Sequence, residues 1–113
     1  MKLQEIIEKM NLKPLTDVEE REVEGVFISD MLSDTMTGAR AGDLWVTVQT
    51  HTNIVSAANL VDAAAVLVPQ EKPVPQKTID LANRYHVIIL SSGDSTFQLA
   101  GKLAALGLSP QQG

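Results

Sequence analysis

The chain has 113 residues, 44% of them hydrophobic and 20% charged, which is enough for one compact domain and too few for two ordinary ones. Its 9 basic and 14 acidic side chains give a formal net charge of -5. A nucleic-acid backbone would therefore meet a repulsive surface, and we expect no nucleic-acid partner. The absence of cysteine excludes disulfides, thiol catalysis and thiolate metal sites.

The first predicted element is a short amphipathic helix within residues 1–13. Apolar residues recur at helical spacing from Leu3 to Met10, Asn11 is placed to end the helix, and Pro14 prevents its continuation. The acidic stretch 17–24 that follows is predicted to be a solvated loop. These first residues contain no signal-peptide core, and no apolar run reaches the roughly 18 residues of a membrane span. We therefore expect a cytoplasmic protein with no membrane contact.

Four apolar, β-branched segments predict strands, and helical patterns follow each of them. The strands are expected near residues 23–29, 44–48, 65–68 and 87–90, and the helices near residues 31–36, 53–63, 75–85 and 95–106. Asp30 and Asn53 are expected to cap the first two of these helices, Phe97 to face inward from the last, and Trp45 to be core. Residues 109–113, after Gly107, are predicted to be a frayed tail.

This alternation predicts an α/β fold over residues 1–113, a single domain with a mostly parallel sheet of about four strands and helices on both faces. The common enzyme signatures are absent. Gly101-Lys102 lacks the rest of a P-loop, no dinucleotide-binding glycine motif is present, and Gly93-Asp94-Ser95 does not continue as a hydrolase elbow. His51 and His86 lack the spacing of a helical zinc site. We therefore expect no catalytic residues, no metal and no cofactor.

Polar residues cluster after two predicted strands, at residues 49–53 and 91–96. Ligands of open α/β sheets bind beyond such strand ends, where helix N-termini favour phosphate or carboxylate. The candidate ligand-binding residues are Thr50, His51, Asn53, Ser91, Ser92, Asp94, Ser95 and Thr96. The alternative is that these side chains only cap helices. Separately, Met31, Leu32 and Met36 form an apolar cluster on a very short predicted helix, and they are the candidate interface residues for a homodimer.

Four segments of the sequence, Ile28–Asp34, Ala39–Asp43, Trp45–Ile54 and Ser92–Phe97, resemble the DRTGG-domain family. The resemblance covers residues 23–106. Such domains occur within bacterial phosphotransacetylases, between the CBS domains of regulated pyrophosphatases, and as small separate proteins. The resemblance implies an accessory or regulatory α/β module that often lies at dimer interfaces. The chain departs from the family where Val68-Pro69-Gln70 replaces a Thr-Gly-Gly-like turn, and the kinase activity of related folds is not implied because the P-loop is missing.

Three hypotheses follow. The first is a non-enzymatic regulatory domain that acts through dimerisation or other protein contacts and senses a small anionic ligand such as a nucleotide. The second is a purely structural assembly module without a ligand. The third is a small enzyme that uses His51 and Asp94 as acid and base.

Overall fold

Five helices and five strands make up residues 1–111, the part of the chain that the computed structural model describes. The strands are β1 (Lys13–Pro14), β2 (Gly25–Ile28), β3 (Asp43–Val46), β4 (Ala65–Val68) and β5 (Ile89–Ser91). The helices are α1 (Leu3–Met10), α2 (Leu32–Gly38), α3 (Asn53–Val61), α4 (Gln76–Arg84) and α5 (Thr96–Ala105). None of these helices has the length and apolar character that crossing a membrane requires.

The strands form one sheet in the order β1-β5-β4-β3-β2, in which β2 to β5 are parallel. The α/β class and the mostly parallel sheet are therefore confirmed. The expected number of about four strands was one too low, because β1 pairs with β5 in antiparallel fashion. β1 contains only two residues and therefore shows no periodic pattern. Its Pro14 is compatible with a strand at the sheet edge, where no ladder partner is needed on the outer side.

Helices cover both faces of the sheet, as predicted. Side chains of α1 and α5 pack with Leu44, Val46, Leu67 and Leu90 on one face. Residues of α3 and α4 pack with Trp45, Val66 and Ile89 on the other, where Leu32 of α2 also lies. Because successive crossovers between neighbouring parallel strands have the same hand, α2, α3 and α4 share one face. The helix after β5 lies on the opposite face, which matters for the site described below.

Several predicted helix ends are confirmed. Asn11 ends α1 in the left-handed conformation with φ 52°, and Gly107 follows α5 with φ +92°. Ser95 caps α5 in a capping box with Gln98. The first helix ends at Met10, directly before Asn11 and within the predicted segment 1–13.

Three side-chain predictions were wrong. Met31, not Asp30, is the N-cap of α2, and Thr52, not Asn53, is the N-cap of α3. The Asp30 carboxylate instead accepts hydrogen bonds from Thr47 Oγ1 and Val48 N, at 3.1 and 2.9 Å. Phe97 points outward and is 86% exposed. Long-range contacts therefore take precedence over local capping at Asp30.

The described part of the C-terminal tail lies against the outer edge of β2. Val26 N donates to Ser109 O at 3.2 Å, and Gln111 Nε2 donates to Asp43 Oδ1 at 2.8 Å. Gly25 permits this close approach, because a Cβ there would lie 2.9 Å from Ser109 O. These contacts differ from the frayed tail predicted from residue 109. Residues 112 and 113 lie outside the described residues.

Candidate functional site

The loops after β4 and β5 diverge to opposite faces of the sheet. Since α4 follows β4 on one face and α5 follows β5 on the other, a crevice forms between the carboxyl ends of these neighbouring strands. A cleft of about 490 Å³ opens on the α4 side of this edge. Its walls come from residues of segment 11–15 around β1, segment 71–74 after β4 and segment 91–93 after β5, with Ile79 of α4. We call it the β5 cleft.

Backbone hydrogen bonds hold the two loops of the β5 cleft together. Ser92 N donates to Val68 O at 3.0 Å, Glu71 N to Ser92 O at 2.8 Å, and Gln70 N to Asp94 O at 2.8 Å. Gln70 and Glu71 both adopt the left-handed conformation, with φ 60° and 50°. Pairing therefore continues past the ends of the strands and fixes the position of the cleft wall. This turn begins at Val68-Pro69-Gln70, where the sequence departs from the family pattern.

The charged side chains of the β5 cleft are Lys13, Lys72 and Glu71. Neither lysine takes part in any of the ion pairs found among residues 1–111, which involve Lys9, Arg21, Lys102 and the amino terminus. Two basic residues and one acidic residue therefore line this cleft, in a chain whose net charge is -5. The cleft is a locally positive region of an acidic protein, which suits an anionic ligand.

The two serines at the end of β5 have different roles. The Ser92 hydroxyl oxygen accepts a hydrogen bond from Asp94 N at 3.0 Å and so shapes the turn. Ser91 is only 8% exposed, lines the cleft, and makes no side-chain hydrogen bond within residues 1–111. Every fully buried side-chain polar atom in that part of the chain has a partner. The Ser91 hydroxyl must therefore remain accessible, and the cleft is the space it faces.

Asp94, Ser95 and Thr96 do not line the β5 cleft. Ser95 Oγ accepts from Gln98 N at 3.2 Å, while Ser95 N donates to Gln98 Oε1 at 2.9 Å. Lys102 Nζ contacts Asp94 Oδ2 at 2.6 Å. The N-terminus of α5 is thus already capped by its own side chains, and Thr96 is simply the first residue of the helix.

Thr50, His51 and Asn53 lie in the β3–α3 loop and at the start of α3, also outside the cleft lining. Thr50 O accepts a hydrogen bond from the buried Thr78 Oγ1 at 3.0 Å, which ties this loop to α4. The side chains of His51 and Asn53 are exposed. Of the predicted ligand-binding residues, the structure therefore places Ser91 and Ser92 together in the cleft and leaves the others apart from it.

Sequence reasoning missed Lys13 and Lys72. Lys13 precedes Pro14 at the end of a predicted helix, and Lys72 lies in a polar, proline-containing loop. Only the antiparallel pairing of Lys13 with Ser91 brings the first lysine to this site. The one local signal was that each lysine directly precedes a proline in an acidic chain, which is too weak to assign a role.

The predicted interface cluster is partly exposed. Met31 is 58% and Met36 45% exposed, while Leu32 is half-buried and packs against the core. Ile28, at the end of β2, adds a further apolar side chain that is 43% exposed. We call Ile28, Met31 and Met36 the α2 patch. Within residues 1–111, no three side chains of the types that bind metals cluster together.

Comparison with known proteins places the fold. No family model and no curated protein matches the sequence. A solved structure does match, that of the CBS and DRTGG domains from the regulatory region of a Clostridium perfringens pyrophosphatase, complexed with the activator diadenosine tetraphosphate. The TM-score is 0.67 at 13% sequence identity, over 95% of this chain and 47% of that one. The likeness confirms the DRTGG-like fold that the sequence resemblance predicted, and this chain spans about half the length of its structural neighbour.

Proposed function

We propose that this chain is a non-enzymatic regulatory domain that binds a small anionic ligand, such as a nucleotide, and transmits its presence through contacts between proteins. The observation that carries the proposal is the β5 cleft, which joins two lysines free of ion pairs among residues 1–111 to an accessible serine hydroxyl. A volume of about 490 Å³ lies within the range of small-molecule sites. The structural neighbour is a regulatory region bound to a nucleotide activator, which supports the same kind of role here.

The arrangement gives little support to the enzyme hypothesis. Asp94 is paired with Lys102, and no hydrogen bond between His51 and Asp94 occurs within residues 1–111. A general acid and base must reach the same substrate atom or its neighbour. Neither residue lines the β5 cleft. The regulatory role therefore accounts for more of the geometry than catalysis does.

The first test is a thermal-shift scan of the full chain against adenine and guanine nucleotides, acetyl phosphate and inorganic anions. A ligand present at about 100 times its dissociation constant stabilises the folded state by roughly 2.7 kcal/mol. For a domain of this size we expect the unfolding midpoint to rise by about 10 °C. Neutral nucleosides are the control, since they lack the charge that the lysines would bind. A panel without any shift would contradict the ligand-sensing role and favour the purely structural assembly module.

The second part of the proposal is a homodimer formed through the α2 patch. Exposed apolar side chains often mark protein interfaces, and the three residues of the patch lie within one short segment of the chain. We expect sedimentation equilibrium to give a dimer for the wild type and a monomer for the double variant Met31→Lys, Met36→Lys. Leu60→Lys is the matched control, because Leu60 is 68% exposed on α3 and lies outside the patch. A monomeric wild type, or a dimer that survives both charges, would show that the α2 patch is not a homodimer interface.

A further inference from the structure

We propose that the β5 cleft recognises a phosphoryl group, with Lys13 and Lys72 as its counter-charges and the Ser91 hydroxyl as a hydrogen-bond donor. This inference rests on the proposed function, since it names the chemical class of ligand and the residues that bind it. The same phosphoryl chemistry is found in a nucleotide and in an inorganic polyphosphate. The experiment below separates these two sources.

Ser91 is the observation that points to a ligand rather than to a merely positive surface. More than nine-tenths of this residue is buried, yet its hydroxyl makes no hydrogen bond within residues 1–111. Hydroxyl groups in such positions are nearly always satisfied by protein, water or ligand. Ser91 lies at the end of β5 directly opposite Lys13 in the register, so the two side chains share one face of the sheet. An acceptor oxygen in the cleft would satisfy this donor.

The charges favour a phosphoryl group over a single carboxylate. Lys13 and Lys72 together supply two positive charges and six N–H donors, whereas Glu71 supplies one opposing negative charge. A phosphoryl dianion with three terminal oxygens can use both lysines and the serine at once, and it is drawn more strongly than a monoanion. The Gly93 N–H makes no hydrogen bond within residues 1–111 and lies at the same end of the cleft, where the Glu71 carboxylate also stands, with Oε1 3.4 Å from the position of a Cβ on Gly93.

The N-terminus of α5 is the rival position for an anion in this region. There the Ser95–Gln98 capping box already uses the helix end, and the Asp94 carboxylate would repel a second negative charge. Lys102 is already paired with Asp94 at 2.6 Å. The β5 cleft has no comparable internal partner for its two lysines among residues 1–111. The two lysines without ion pairs and the Ser91 hydroxyl therefore come together in the cleft.

The experiment is an amide NMR titration of the full chain with two probes, ATP and inorganic pyrophosphate. We expect both probes to shift the amides of Lys72, Ser91 and Gly93 along one binding curve. Lys13→Met is expected to weaken binding about tenfold or more, the usual effect of losing a charged hydrogen bond, and Ser91→Ala by several-fold. Both variants should keep the wild-type unfolding midpoint, because Lys13 is exposed and the Ser91 hydroxyl is unpartnered within residues 1–111.

Lys9→Met is the charge-matched control. Lys9 lies on α1, its Nζ is 3.3 Å from Glu5 Oε2, and it does not line the cleft. Tighter binding of ATP than of pyrophosphate would identify a nucleotide, and the reverse order an inorganic polyphosphate. If the probes bind the wild type but Lys13→Met and Ser91→Ala bind as tightly, the cleft assignment fails while the proposed function stands. If neither probe moves any amide, the phosphoryl inference is overturned, and a flat thermal-shift panel would overturn the proposed function separately.

Discussion

Replacing Trp45 by alanine is expected to lower the free energy of unfolding by about 3–5 kcal/mol. Trp45 lies in β3, between β4 and β2 in the sheet, is fully buried, and packs with residues of α3 and β4. Its removal would leave a cavity that the surrounding strands and helices cannot fill, because parallel pairing on both sides fixes β3. Since domains of this size are stable by about 5–15 kcal/mol, much of the total would be lost. Equilibrium unfolding in urea measures this change in the free energy of unfolding directly.

Two further variants separate the causes of that loss. Trp45→Phe keeps most of the apolar packing but removes the hydrogen bond from Trp45 Nε1 to Ser29 O, which spans 2.9 Å. We expect it to cost about 1–3 kcal/mol, the range for leaving one partner unsatisfied. Phe97→Ala, at an exposed aromatic, should change stability by no more than about 0.5 kcal/mol. A Trp45→Ala variant as stable as Phe97→Ala would contradict the packing described for β3.

The strands were predictable where an apolar run has clear ends. Ala65–Val68 was predicted with its exact bounds, since four buried apolar residues are followed directly by Pro69. β1 could not be found in this way, because two residues carry no alternation and Pro14 suggests a break instead. Its existence depends on β5 offering a free edge to the chain as it returns from α1. That information is in the tertiary structure and not in the local sequence.

The prediction of helix caps has the same limit, because it succeeds only where the partner of the capping side chain is close in sequence. The last helix was predicted to begin near residue 95, and Ser95 is its N-cap, with its partner Gln98 three residues away on the same helix. Asp30 was predicted incorrectly because its partners, Thr47 and Val48, lie in the loop that follows the neighbouring strand β3. Asp30 has an equally good local position before α2, so the sequence alone gave no reason to prefer the distant donors.

Only part of the candidate site could likewise be predicted from the sequence. Ser91 and Ser92 were predicted from the rule that ligands bind beyond the carboxyl ends of parallel strands. Lys13 reaches Ser91 only through the antiparallel pairing of β1, and the sequence separates the two residues by most of the chain. The rule gave no means of choosing between the ends of β3 and β5. That choice depends on the connections, since only the loops after β4 and β5 lead to helices on opposite faces of the sheet.

Asp30→Ala is expected to lower the free energy of unfolding by about 1–3 kcal/mol and to loosen the β3–α3 loop. One carboxylate oxygen accepts from both Thr47 Oγ1 and Val48 N, and the Asp30 carbonyl accepts from Gln49 Nε2 at 3.0 Å. Thr47 is 1% exposed, so its hydroxyl hydrogen would be left without a partner in a buried position. Urea unfolding measures the loss of stability. Amide hydrogen exchange at Val48 should become faster, because its N–H loses its acceptor.

Asp34→Asn provides the matched control. Asp34 is an exposed acid on α2 whose side chain makes no hydrogen bond within residues 1–111, and its replacement should change stability by no more than about 0.5 kcal/mol. Asp30→Asn is the more discriminating variant, since its amide oxygen can still accept from Thr47 and Val48 although the charge is gone. If it retains most of the stability and the slow exchange that Asp30→Ala loses, hydrogen bonding by Asp30 fixes the loop. If Asp30→Asn and Asp30→Ala lose the same unfolding free energy, the charge of Asp30 causes the effect. If amide exchange at Val48 stays slow in both variants, the hydrogen bond from Val48 N to Asp30 is contradicted.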